Sequence, residues 1–311
     1  MLKNTAFIYP GQGSQIAGMG NDLYDKFQHA KEMYRHAERI LHFDIADISF
    51  NGPEEKLRET QFTQPALFVH SAVLTRMLLS KGARPACVAG HSLGEYSALL
   101  AAEALSFEEG VKLVRSRAEL MQNAGKDNKG TMAAIIGLAV AEVEEACRQA
   151  SVKGVVRIAN LNSPVQTVIS GSVEGVQQAM KLAQEAGAKR VIRLNVSGAF
   201  HSELMQPAVP VFEKSIESAG IMNPAVPVYA NVTAKATTDR EEIRQLLAKQ
   251  LVNPVRWTET INNMISDGVD RFVEVGSGTV LSGLVKRIST DVRVENISSV
   301  EELVNFDHRG N

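Results

Sequence analysis

The sequence predicts an α/β protein, a discontinuous core of alternating strands and helices interrupted by a small α+β unit. Two patterns carry that prediction. Short apolar runs stop at glycine and give way to helical stripes, and a β-α-β-β-α-β succession occupies the middle of the chain. Size is the third observation: 311 residues suit about two domains, or one large domain with an insertion. A compact chain of this length buries roughly three-quarters of its unfolded surface, so it needs no disulfide or metal staple.

In chain order, Ala6-Phe7-Ile8-Tyr9 reads as the first strand, halted by Pro10 and a turn from Gly11 to Gly13. A helical pattern runs from Asp25 to Leu41, and another starts near Gln64-Pro65, with Leu67, Val69, Val73, Leu74, Met77 and Leu78 along one side. Ala86-Cys87-Val88-Ala89 is a second short strand ending at Gly90, and Leu93 to Leu105 is helical. Ser106 and Glu109 have capping-box spacing for the next helix, whose apolar stripe is Val111, Val114, Ala118 and Met121.

Polar residues from Gly125 to Gly130 mark a crossing between units. Beyond it come a strand (132–138), a helix (140–150), strands at 155–161 and 166–170, a helix (173–186) and a strand (190–196). That order over about seventy residues is the ferredoxin-like pattern. After His201 the alternation resumes, with strands at 227–230 and 271–275, and no internal repeat is seen.

Thirty-three basic against 35 acidic side chains leave a formal charge of −2, which gives no electrostatic reason to expect a nucleic acid partner. Cys87 and Cys147 are too few for a disulfide framework or a cysteine-rich zinc site. The apolar stretch near the N-terminus is too short for a signal segment, and no run of about 18 apolar residues occurs. The expectation is a soluble, cytoplasmic protein without a bound metal.

Gly90-His91-Ser92-Leu93-Gly94 is the strongest chemical signal. A G-x-S-x-G string arises by chance in about one chain in ten of this length, but here it lies where a short strand meets a helix. A serine on such a turn sits in strained backbone, and flanking glycines remove the Cβ atoms that would collide. A hydroxyl needs a base to become a nucleophile. Of the seven histidines, His29, His36 and His42 lie in or beside a polar helix, His70 borders an apolar stripe, and His308 is in a polar tail. His91 neighbours the serine on a turn that points adjacent side chains apart, which leaves His201, after the last strand of the insertion. No acidic residue stands out as a third member.

Gly11-Gln12-Gly13-Ser14-Gln15 follows the first strand, so its N–H groups and that of Leu93 could hold an oxyanion. A dinucleotide fingerprint fails there because Ile16 takes the third glycine position. Arg117 borders the buried stripe of its helix, whereas Arg115 faces away, and a buried guanidinium should meet a carboxylate. That partner is either an internal acid or the substrate.

Together these segments resemble the malonyl-CoA:acyl carrier protein transacylases almost end to end. Thr63-Gln64-Pro65-Ala66, Glu95-Tyr96-Ser97-Ala98, Gly130-Thr131-Met132, Asn162-Ser163-Pro164, Phe200-His201-Ser202, Pro254-Val255-Arg256-Trp257 and Val275-Gly276-Ser277-Gly278 complete the likeness. It implies an α/β-hydrolase-like core with a parallel sheet (1–126 and 203–311) and an inserted ferredoxin-like subdomain (127–202). It also implies Ser92 as the acylated nucleophile, His201 as its base, and the main-chain carbonyl of Gln250 as the group that orients His201. Gln12 and Leu93 would supply the oxyanion hole. Arg117 would clamp the malonyl carboxylate, Phe200 would limit space at the α-carbon, and Gln64, Asn162 and His91 would also contact substrate. The partners implied are malonyl-CoA and holo-acyl carrier protein, with no cofactor, no membrane and a monomeric chain. Ala199, Val165 and Ser277 depart from common residues of the family and leave fatty-acid and polyketide synthesis both open. A serine hydrolase using the same Ser92–His201 pair, or a scaffold that kept the fold, are the competing readings.

Overall fold

The computed structural model describes residues 2–306. Its strands are β1 Thr5–Tyr9, β2 Cys87–Gly90, β3 Gly130–Ile136, β4 Val156–Ser163, β5 Gln166–Ser172, β6 Arg190–Arg193, β7 Val228–Tyr229, β8 Ala236–Thr237, β9 Arg271–Val275 and β10 Arg293–Ile297. The larger sheet has the order β10-β9-β1-β2-β7-β8, parallel except for the last pair. After Thr5, β1 is continuously apolar because it is covered on both faces. Its alternate residues feed two cores: Phe7 and Tyr9 on one side, Ala6 and Ile8 with Trp257, Phe272 and Leu281 on the other. No helix among the described residues is long and apolar enough to cross a membrane.

The smaller sheet has the order β4-β5-β3-β6 and is antiparallel throughout. Its two helices, Val140–Ala150 and Val173–Glu185, share one core with Ala133, Ile135 and Ile169. Because strand side chains alternate, Met132, Ala134 and Val168 point to the opposite face, toward the large unit. Val255 ties the units together, donating to Ala159 O and accepting from Leu161 N–H, both at 2.9 Å.

Several expected boundaries move. The helix expected from Asp25 is two helices, Asn21–Lys26 and Gln28–Leu41, parted by Phe27 in extended backbone whose ring packs on the core. The helix expected near Gln64-Pro65 begins at Thr60, with Pro65 inside its second turn. Leu93–Leu105 shortens to Gly94–Ala101, because Glu103 turns at a positive φ of 59°. The next helix runs over Phe107–Asp127, through the expected crossing at Gly125, where a Cβ would lie 2.4 Å from Ser197 O. Ser106 caps it by accepting from Glu109 N–H at 3.2 Å, but the Glu109 carboxylate turns to Lys112 instead of closing a capping box. β6 ends at Arg193, freeing Leu194 and Val196 to line the cleft. β8 and β10 went unread because one is two residues long and the other is a polar edge strand. Cys87 and Cys147 are buried free thiols.

Candidate active site

The carboxyl ends of β1 and β2 lead into two loops that touch: a Cβ on Gly11 would lie 2.3 Å from His91 O. Sterics explain the glycines around Ser92. A Cβ on Gly90 would fall 1.9 Å from the Gly94 backbone, and one on Gly94 2.0 Å from Tyr9 O. Ser92 itself has φ 51°, a left-handed conformation that costs a non-glycine residue about 1–3 kcal/mol. Two carboxamides hold it there: Ser92 N–H donates to Asn231 Oδ1 at 2.7 Å, and Ser92 O accepts from Gln250 Nε2 at 3.0 Å.

His201, also at positive φ (58°), brings Nε2 to 2.9 Å from Ser92 Oγ. Its Nδ1 lies 2.8 Å from Gln250 O. A carbonyl only accepts, so Nδ1 carries the proton and Nε2 keeps its lone pair toward the serine. The carbonyl brings no charge to favour imidazolium. Burial, with the nearby Arg117 cation, pulls His201 down to about 3, so the ring is neutral at neutral pH.

Arg117 is 1% exposed and meets no carboxylate within 4 Å among the described residues. Nη1 donates to Gln64 Oε1 at 2.7 Å, while Nη2 donates to Gln250 Oε1 at 2.9 Å and Ser92 Oγ at 3.0 Å. Its guanidinium carbon sits 5.3 Å from the Tyr96 ring centre. The nearest acid in the network, Glu95, is reached through the Gln250 carboxamide and is pushed up to about 7 by burial. An internal salt bridge is therefore not what Arg117 makes; its charge is solvated by neutral dipoles and stays available.

A cavity of about 350 Å³ opens between the two units. Ser92, His201, Gln12, Leu93, Arg117, Phe200, Gln64, Asn162 and His91 all line it, with Met132, Ala134 and Val168 forming its apolar wall. Gln250 lies behind the site and acts only through its hydrogen bonds. The N–H groups of Gln12 and Leu93 donate to no protein acceptor among the described residues. His91 lines the cavity without bonding Ser92; its Nε2 lies 2.8 Å from Asn162 Oδ1 and its ring meets Trp257 edge-on.

His70 is buried elsewhere, held near 4 by desolvation, and His29 and His36 lie half-exposed beside Glu32 and Glu108. His42 caps a helix C-terminus and His308 lies outside the described residues. No group of three metal-ligating side chains occurs among the described residues. Asn231 and Glu95 were missed as site residues. Asn231 carried a readable signal, because it lies two residues past β7 at the carboxyl edge of the parallel sheet, where ligand-binding residues gather.

A serine beside a neutral imidazole, on a tight turn at that edge, defines a class: α/β enzymes that pass an acyl group through a hydroxyl. The chain matches the acyl transferase domain over residues 6–305, and it belongs to that family, among the malonyl CoA-acyl carrier protein transacylases. The Bacillus subtilis (strain 168) protein of that name is 42% identical over 303 residues, 97% of this chain and 96% of the relative. An acyl carrier protein S-malonyltransferase from Vibrio cholerae superposes with a TM-score of 0.93 at 40% identity, covering 97% of this chain and 99% of the other. A malonyl-transacylase solved in complex with a holo type II PKS acyl-carrier protein is equally similar, with a TM-score of 0.93 at 39% identity over 96% of this chain and 97% of that one.

Proposed function

We propose that this protein moves a malonyl group from malonyl-CoA to the phosphopantetheine thiol of holo-acyl carrier protein, by a ping-pong route through an ester on Ser92. The observation that carries the reading is the convergence of Ser92 Oγ, His201 Nε2 and an acid-free Arg117 on one cavity. His201 Nε2 takes the hydroxyl proton as Ser92 Oγ attacks the thioester carbon. The N–H groups of Gln12 and Leu93 hold the oxyanion. The C–S bond then breaks, the imidazolium returns its proton to the CoA thiolate, and malonyl-Ser92 remains. In the second half the pantetheine thiol gives its proton to His201 and attacks the ester, and Ser92 Oγ leaves and recovers that proton.

Arg117 sets the acyl class. Its free cation opposes the imidazolium that each half-reaction must form, until a carboxylate at the far end of the acyl group pairs with it. Binding malonate therefore supplies both affinity and a stronger base, and an acetyl group supplies neither. Phe200 lines the cavity and would limit space at the α-carbon, and Gln64, Asn162 and His91 complete the polar lining. The core of residues 1–126 and 203–311 carries the nucleophile, and the 127–202 unit closes the cavity. The reaction needs no cofactor, and it serves fatty-acid or polyketide synthesis.

Intact-protein mass spectrometry tests the proposal. Malonyl-CoA alone should leave a lasting malonyl adduct, lost in Ser92→Ala and discharged by holo-carrier protein. Steady release of free malonate without carrier protein would instead mean a hydrolase.

A further inference from the structure

We infer that Glu95 is a positioning residue for this reaction: it holds the Gln250 carboxamide with its oxygen toward Arg117, and so sets both the guanidinium and the main chain of Ser92. The inference rests on the malonyl-transfer reading of the site. Glu95 lies in the first turn of the helix that follows the nucleophile, is 3% exposed and does not line the cavity. It cannot touch substrate.

A single oxygen, Glu95 Oε2, accepts from Gln250 Nε2 at 2.7 Å and from Asn231 N–H at 3.1 Å. The Gln250 amide is thereby pinned at one end. Its Nε2 also donates to Ser92 O, and its Oε1 accepts from Arg117 Nη2. Turning that amide over would aim an NH2 at a guanidinium and an oxygen at Ser92 O and Glu95, opposing donor to donor and acceptor to acceptor. Asn231, fixed through its N–H, accepts from Ser92 N–H at 2.7 Å and donates to Gly90 O at 2.6 Å. Both polar groups of the strained Ser92 backbone thus depend on residues that Glu95 holds. Because the carboxylate reaches Arg117 only through a neutral amide, it orders the cation without neutralising it.

Two variants separate reach from charge. Glu95→Asp keeps an ionisable carboxyl group but ends about 1.5 Å short. Glu95→Gln keeps the reach, and its amide oxygen can accept both N–H groups. Rates are measured with malonyl-CoA and acetyl-CoA on holo-carrier protein, alongside thermal unfolding. Glu95→Asp should lower malonyl kcat/KM by about 10- to 100-fold, the loss expected when buried N–H donors are left without their acceptor. It should also cut the malonyl-to-acetyl ratio at least about fivefold, while Glu95→Gln restores both to within about threefold. Glu95→Gln falling tenfold or more, with or without a foldable Glu95→Asp, overturns the inference. So does a loss of stability with the ratio unchanged. If the unsubstituted protein forms no malonyl-Ser92 ester, the functional reading fails and this inference falls with it. If the ester forms and the variant pattern is absent, Glu95 alone was misread.

Discussion

Arg117 Nη2 donates to Ser92 Oγ at 3.0 Å, on the same oxygen that lies 2.9 Å from His201 Nε2. The cation therefore acts on the hydroxyl and, through it, on the ring that the proposed reaction uses as its base. It favours negative charge building on the hydroxyl oxygen and disfavours positive charge on the ring. The two effects oppose each other until an anion pairs with the guanidinium.

Arg117→Ala should lower kcat/KM for malonyl-CoA by at least about 10²-fold, as expected when a buried polar contact to substrate is lost. Acetyl-CoA should fall much less, because its methyl group never used the contact and the base is released from the cation. Arg117→Lys should not rescue, since one ammonium cannot span Gln64, Gln250 and Ser92 as the planar fork does. Paired kcat/KM values decide it, and equal losses for both thioesters would defeat the assignment.

The pH profile follows from His201. Its native value sits far below the ordinary 6.5, and the working form is the neutral ring, so activity is lost only as pH falls through that depressed value. kcat/KM for malonyl-CoA should stay flat from pH 7 down to about pH 5, with no limb near 6.5. In Arg117→Ala the acid limb should move up toward the ordinary histidine range. A limb centred between 6 and 7 in the unsubstituted protein would contradict this.

Gly94→Ala probes the turn. The added methyl would sit 2.0 Å from Tyr9 O, a main-chain atom of the central strand that has no room to retreat. A loss of at least about 2 kcal/mol in urea unfolding is expected, together with loss of the Ser92 adduct. Unchanged stability would mean that the loop is looser than the contact implies.

Glu95 gives a stability signature of opposite sign to the histidines. Its native value is raised to about 7, above the unfolded 4.5, so the folded chain holds a proton that the unfolded chain releases between those values. Stability is present below that window and lost as pH rises through it, by up to about 3 kcal/mol. His91 and His201, both lowered, act in the other direction in every variant and cancel in a comparison. Glu95→Gln should thus gain relative to the unsubstituted protein between pH 5 and pH 8, read from urea midpoints at both. A constant difference would show that Glu95 does not hold its proton.

Much of this was legible in the chain because local sterics leave a local record. The Ser92 turn is written in Gly90 and Gly94, and the apolar run of β1 follows from cover on both faces. Boundaries were less legible where packing outweighed propensity, as at Phe27, which breaks a helix no residue type forbids, and at Pro65, which one tolerates. The two carboxamides that hold Ser92 were harder to find. Asn and Gln give no periodic or charge signal, and Gln250 lies 158 residues from the carbonyl it supports.

By itself the sequence determined the α/β alternation, the inserted four-strand pattern, the strained serine and a short list of bases and cations. Those follow from forces acting over a few residues, namely backbone clashes, side-chain periodicity and capping. Only the tertiary structure decided that His201 meets Ser92 across 109 residues, that carboxamide oxygens rather than an acid receive Arg117, and that Glu95 stands behind them. A buried charge takes its partners from whatever the packed sheets and helices bring within about 3 Å, and no local pattern records that distance.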